Sequence, residues 1–183
     1  MLDPPWAERG GSRIKRAADR HYDLLDTARI PTTIMGSGLF RPDERNGCHL
    51  YLWVTNNFLE DGLWLTKRLG FRYITNLVWV KEGGFGLGQY FRGQHELCLF
   101  AVKGPTLFTQ NRSTSTVVTA PKRGHSQKPE TVYDLIERCS YPPHLEMFAR
   151  ATREGWTSWG NEVPISNPAA IAKTLDSLIP FET

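Results

Sequence analysis

The sequence predicts an α/β sandwich built on a mostly parallel sheet. Three observations carry that prediction: short apolar runs of strand length, helical patterns between them, and a size suited to one buried core. The runs are continuous in Val, Ile, Leu, Phe and Trp, as strands covered on both faces require. With 183 residues, 40% of them hydrophobic, the chain reads as a single domain over residues 1–183.

The elements follow in chain order. Residues 49–55 (HLYLWVT) form the first strand. The next segment, NNFLEDGLWLTKRLG, offers an Asn cap, Leu59, Leu63 and Leu69 along one side, and Gly70 as a stop, so a helix is expected there. Residues 73–80 (YITNLVWV) and 95–102 (HELCLFAV) are the second and third strands. A helix over residues 129–139 has Pro129 at its first position and Glu130 in its first turn. Its apolar stripe is Val132, Leu135, Ile136 and Cys139 at helical spacing. Residues 144–150 (HLEMFAR) are the fourth strand, and NPAAIAKTLDSL predicts a last helix capped by Asn167. Residues 7–47 and 103–127 read as long polar loops, a length that in compact domains usually accompanies function.

Composition narrows the function. Twenty-two basic against 19 acidic residues leave a net charge of +3, which permits nucleic acid as a partner without demanding it. Three cysteines, Cys48, Cys98 and Cys139, show no CxxC spacing. They suit a reducing compartment and supply neither a disulfide framework nor a metal site. No run has the roughly 20 apolar residues of a membrane span, so no membrane partner is expected and a soluble, cytoplasmic protein is.

The chemistry starts at the first residues, Asp3-Pro4-Pro5-Trp6. A carboxylate accepts hydrogen bonds from an amino group, and prolines hold φ near about −65° while presenting carbonyls without a local N–H of their own. Trp6 adds a flat face on which a purine can stack. Together they suggest a pocket for the exocyclic amine of a planar base; the bland alternative is a turn with a surface anchor.

Downstream, HSQKPETVYDLIER, LEMFAR and GWTSWGNEV follow in that order. With the opening tetrapeptide they resemble the MT-A family of adenine-N6 methyltransferases, from Asp3 to about Val163. The resemblance implies methyl transfer from S-adenosylmethionine to the N6 amine of adenine, with DNA favoured over RNA. It implies a Rossmann-like class I methyltransferase fold in which the target-amine motif precedes the cofactor motif. By the same resemblance, Asp3 and the Pro4 carbonyl bind the amine, with Pro5 in the same tetrapeptide, and Trp6 stacks on the base. Lys128 reaches the cofactor's carboxylate. Glu146, Phe148 and Arg150 line its ribose and adenine, Asn161 and Glu162 bond the ribose hydroxyls, and Glu96 flanks the active site. No metal is implied.

One feature departs from the family: only Met1 and Leu2 precede Asp3, where a hydrophobic strand normally leads in. A truncated strand is therefore expected, with lowered stability or self-association. That leaves a second reading, a catalytically impaired or non-catalytic nucleic-acid-binding subunit of a methyltransferase complex, and as protein partners either a second copy or a partner subunit. Cytosine-N4 methylation is a lesser third reading, since the same chemistry serves any exocyclic amine. GGFGLG, residues 83–88, precedes a turn and a strand rather than a helix, so it reads as a loop over the site and not as a phosphate cradle. Lys67, Arg68, Arg72, Arg112, Lys122, Arg123 and His125 are candidate phosphate contacts, or ordinary solvated surface.

Overall fold

The computed structural model describes residues 1–6, 26–86, 90–122, 124 and 127–163. Its strands are β1 (Cys48–Val54), β2 (Arg72–Glu82), β3 (His95–Lys103), β4 (Val117–Pro121), β5 (His144–Met147) and β6 (Trp156–Trp159). Its α-helices are α1 (Ile30–Gly36), α2 (Leu59–Arg68) and α3 (Glu130–Cys139). Four strands hydrogen-bond in the order β1-β3-β2-β4, and β5 pairs with β6. Residues 1–3 lie between the two groups. Leu2 bridges in parallel to Leu52 of β1 and to Met147 of β5, with Leu2 N donating to Tyr51 O at 2.8 Å and Trp53 N to Leu2 O at 2.9 Å.

Strand directions refine the expectation of a mostly parallel sheet. β1 and β2 both run antiparallel to β3, hence parallel to each other; β4 is parallel to β2, and β6 to β5. Thus β3 alone is reversed, and it sits between β1 and β2. The cause is the connection: among the described residues of 83–94 there is no helix to carry the chain back across the sheet, so β3 returns antiparallel. β1, α2 and β2 form the crossover unit around it. The sheet is therefore mixed, although most strand ends point one way.

Strand alternation sorts the core into two layers. Leu50, Leu52 and Val54 of β1 face one side with Leu2, Leu99 and Ala101, against Ile30 and Ile34 of α1 and Leu65 of α2. Tyr51 and Trp53 face the other side with Leu77, Trp79 and Cys98, against Val132, Leu135, Ile136 and Cys139 of α3. The α3 stripe is the one expected, with Pro129 placed at the N-cap rather than inside the helix.

Several expectations are corrected. The supposed loop 7–47 contains α1, with Pro31 in its first turn, and the loop 103–127 contains β4. In α2 no side chain caps the N-terminus, and Leu59 and Leu63 are turned outward, 38% and 39% exposed. The buried face is Gly62, Leu65 and Thr66 instead. Gly62 explains this: a Cβ there would collide with Val54 Cγ1 and come within 3.1 Å of Leu99 Cδ1, so the helix meets the sheet through its one residue without a side chain. Gly70, at φ +80°, does end the segment, its N–H donating to Lys67 O at 3.0 Å. The fourth strand stops at Met147, three residues early, because Phe148 turns to φ +63°. The helix expected after Asn167 lies outside the described residues, as do Arg123 and His125.

Candidate active site

Because most strands share a direction, their carboxyl ends meet at one edge, where open α/β sheets bind ligands. Asp3 leaves residues 1–3 at that edge, with its N–H donating to Met147 O at 3.3 Å. Lys81 arrives near the end of β2, Glu96 at the start of the reversed β3, and Lys128 just ahead of α3. All lie on the α3 face, since Trp79 and Cys98, two residues from Lys81 and Glu96, belong to that layer.

These side chains form an alternating chain of charges. Lys128 Nζ lies 2.7 Å from Asp3 Oδ2 and 3.6 Å from Glu96 Oε2, and Lys81 pairs closely with Glu96 Oε1. Two cations and two anions cancel, which is what allows four ionisable groups to sit in a half-dry pocket. Lys128 is only 8% exposed, and its ammonium also lies 5.1 Å over the Trp53 ring. Burial opposes its charge, but Asp3 and Glu96 outweigh burial and hold it above the ordinary lysine value. For Asp3 burial prevails over Lys128 and raises the carboxyl. Glu96 also resists burial, and Lys128 with Lys81 holds it below the ordinary carboxylate value. Asp3 is thus the more basic of the two carboxylates.

The opening tetrapeptide is a tight turn. Trp6 N–H donates to Pro4 O at 2.9 Å across Pro5, so the Pro4 carbonyl has a local donor after all and one lone pair remains for another. Trp6 also departs from the expected open stacking face. It is 6% exposed, stacked on Phe58 with centroids 5.5 Å apart, and its indole N–H donates to Trp53 O at 2.9 Å. Its ring wedges the turn against β1.

The remaining predicted residues cluster at the ends of β5 and β6. Glu146 is buried, with its carboxyl raised by burial and accepting a hydrogen bond from Tyr133 Oη of α3 at 2.9 Å. Phe148 holds the left-handed backbone that bulky residues avoid, with its ring edge-on to Trp159 at 5.7 Å. Arg150 Nε lies 3.9 Å from Glu162 Oε1, and Asn161 and Glu162 are exposed just past β6. Gly160 joins the two ends: a Cβ there would collide with Ala149 O, and Ala149 N–H donates to Trp159 O at 2.9 Å.

Sequence reasoning missed Lys81 and Tyr133. In the β2–β3 register Trp79 lies opposite Glu96, so Lys81 reaches Glu96 as a diagonal cross-strand neighbour. No signal in a single sequence discloses that register. Tyr133 could have been found, because it lies one residue from the predicted stripe of α3. Among the described members of the predicted basic group, Lys67, Arg68, Arg72 and Arg112 lie at or beyond the opposite edge, near the start of β2 and the end of α3, and Lys122 lies at the site edge. A cleft of about 750 Å³ also lies opposite, between α1 and the end of α2, and holds none of the site residues. Among the described residues no group of three or more His, Cys, Asp or Glu is arranged to hold a metal ion, and no helix is long and apolar enough to cross a membrane.

The MT-A70 family model matches residues 1–162. The chain belongs to the MT-A70 family. Within it, the chain is 30% identical over 173 residues to a rice protein named probable N(6)-adenosine-methyltransferase MT-A70-like, covering 89% of this chain and 22% of that protein. It is 29% identical over 187 residues to the human N(6)-adenosine-methyltransferase catalytic subunit METTL3, covering 94% of this chain and 30% of that one. It is also 31% identical over 121 residues to the type II methyltransferase M.MunI of a Mycoplasma species, covering 64% of this chain and 51% of the relative. This MT-A70 chain therefore spans between a fifth and a third of the length of the first two relatives.

Proposed function

We propose that the chain transfers a methyl group from S-adenosylmethionine to the N6 amine of adenine in nucleic acid, DNA ahead of RNA. The observation that carries this reading is the meeting of Asp3 and Lys128 where the strand ends converge, inside an MT-A70 chain. The three cysteines are free thiols, in keeping with a cytoplasmic setting.

The donor set suits the cofactor. Glu162 and Asn161 offer acceptors for a vicinal diol, Phe148 an apolar ring, and Lys128 a fixed positive charge for an amino-acid carboxylate. When bound, S-adenosylmethionine supplies a methyl carbon made electrophilic by its sulfonium. The rest of the chemistry belongs to the chain. Asp3 and the free lone pair of the Pro4 carbonyl accept the two N–H bonds of the adenine amine, drawing the nitrogen toward a tetrahedral geometry in which its lone pair can attack. Positive charge would develop on the amine nitrogen as it gains the methyl group, and the Asp3 carboxylate would stabilise it. The proton then released passes to Asp3 Oδ, a step favoured by the raised basicity of that carboxyl. Lys128 would hold the cofactor's carboxylate, and Glu96, 3.6 Å from its ammonium, helps to keep it charged. Holding the amine and the methyl in line supplies most of the rate gain.

The reading is tested by two variants. Asp3→Ala should abolish transfer of labelled methyl groups to adenine-containing DNA and RNA strands while leaving S-adenosylmethionine affinity within a few-fold by calorimetry. Asn161→Ala should weaken cofactor binding and leave transfer at saturating cofactor largely intact. Equal loss of both properties in both variants would refute this division of roles, and transfer to RNA but not DNA would reverse the substrate preference.

A further inference from the structure

The connection from β2 to β3 is rooted on the site at both ends. Lys81 precedes it and Glu96 follows it, and these two side chains pair with each other. Its neck is pinched: Lys81 N–H donates to Gln94 O at 2.8 Å and Gly86 N–H to Gly93 O at 2.7 Å. A Cβ on Gly86 would come within 2.8 Å of Gly93 O, so the two limbs touch backbone to backbone. Gly83 and Gly84, at φ +88° and +106°, turn the first limb away from the sheet, and Lys122 from the end of β4 donates to Gly84 O at 3.2 Å.

On and beyond this neck the connection presents aromatic rings to water. Phe85 is 67% exposed, Tyr90 93% and Phe91 92%. These are the largest exposures of any aromatic among the described residues. The next most exposed aromatic after Phe85 is Phe108 at 61%, well short of the nearly complete exposure of Tyr90 and Phe91, so packing does not explain those two rings. Neither ring stacks on another ring among the described residues, which leaves their faces open. Arg92, beside them, is exposed and holds no ion pair among the described residues.

We propose that Tyr90 and Phe91 are a stacking platform for unpaired bases next to the target adenine, with Arg92 and Lys122 set against the adjoining phosphates. The inference rests on the proposed reading of the site as one that takes a nucleic-acid adenine, and it adds the substrate form: single-stranded or locally unstacked nucleic acid. Two physical features favour this over a protein partner. Tyr90 and Phe91 set two exposed rings side by side with the exposed Arg92 directly after them, which matches the base faces and the adjoining phosphate of a strand. A protein-docking patch would instead gather apolar side chains into one continuous surface. The rooting of the neck on Lys81 and Glu96 places the platform within a few nucleotides of Asp3, where a base lifted from its stack would have neighbours needing support.

The test uses the full chain and a fluorescent 12-nucleotide DNA single strand containing one adenine. Tyr90→Ala and Phe91→Ala should each weaken binding about ten-fold, the size of one lost base stack. Tyr90→Phe and Phe91→Tyr should keep the affinity, whereas Tyr90→Leu and Phe91→Leu should not. Arg92→Gln should lower the salt dependence by about one phosphate contact. Cofactor affinity and melting temperature should stay at the parent values in every variant, because these side chains are exposed. Unchanged strand binding in the alanine variants, full rescue by leucine, or no strand binding by the parent protein would overturn the proposal. So would variants that alter self-association in sedimentation and leave strand binding intact, which would mark a protein contact. Parent protein that binds the strand through these rings but transfers no methyl group would sink the catalytic reading and spare the platform. Transfer by the alanine variants at parental KM for the strand would do the opposite.

Discussion

Replacing Lys128 by methionine keeps the buried aliphatic stem and deletes the charge that ties the site together. At an effective dielectric of about 20, unit charges 2.7 Å apart attract by about 6 kcal/mol. Several kcal/mol of that are offset by removing the ammonium from water, so the net loss should be about 3 kcal/mol, the usual cost of breaking one side of a buried pair. For a chain of this size that is a fall in melting temperature of about 6 to 12 °C. Urea unfolding at pH 7 gives the free energy directly. The variant also has a pH signature. Without Lys128 the Asp3 carboxyl, already raised by burial, rises further. A raised carboxyl favours the folded state below its unfolded value of about 4 and loses that stability as the pH climbs through the folded value. In the parent, Glu96 loses its stabilisation by Lys128 as the pH falls. Both effects make the gap between parent and variant widest near pH 7 and narrower toward pH 4. Adding Asp3→Asn should recover more than half of the loss, because it removes the stranded charge. A loss under about 1 kcal/mol, a gap that does not change with pH, or no recovery in the double variant would refute the paired-charge account.

Glu96→Gln should destabilise the protein at neutral pH, by about 1 to 2 kcal/mol. Glu96 is held below the ordinary carboxylate value of 4.5, so the stability it contributes is present above that value and lost as the pH falls through the lower folded one. Parent and variant should therefore converge in acid, and unfolding midpoints between pH 3 and pH 7 check it. Gly160→Ala should lower stability by about 2 to 4 kcal/mol, since the new methyl group meets Ala149 O where backbone cannot give way. Calorimetry on the same variant should show weaker cofactor binding, because Phe148, Arg150, Asn161 and Glu162 all hang from that junction. A melting temperature equal to the parent's would show that the junction yields more easily than its geometry implies.

Much of the site was legible because its chemistry is local. Asp3-Pro4-Pro5-Trp6 is contiguous, and rigid prolines beside a carboxylate suggest an amine pocket whatever surrounds them. Lys128, Phe148, Arg150, Asn161 and Glu162 were assigned through motif order, and the fold brings the last four together at adjoining strand ends. What misled was burial. Trp6 reads as an open ring, yet Phe58 and Trp53 O claim its face and its N–H. Glu146 reads as a cofactor ligand, and its Oε1 also accepts from Tyr133, a contact the sequence does not announce. Leu59, Leu63 and Leu69 read as a core stripe, yet of these only Leu69 is buried, and α2 meets the sheet at Gly62 and Leu65. In each case the periodicity marks a residue as apolar or polar, and a neighbour far along the chain settles which way it points.

The apolar runs, the α3 stripe and the charged and aromatic inventory follow from the chain alone, because hydrophobic burial and backbone propensity act within a few residues. The reversal of β3, the diagonal that brings Lys81 to Glu96 and the pairing of Lys128 with Asp3, 125 residues apart, came from strand register and direction. Register is a long-range choice: a shift by one residue turns every side chain to the other face, and only the closed core, with all its layers in place, selects between the two.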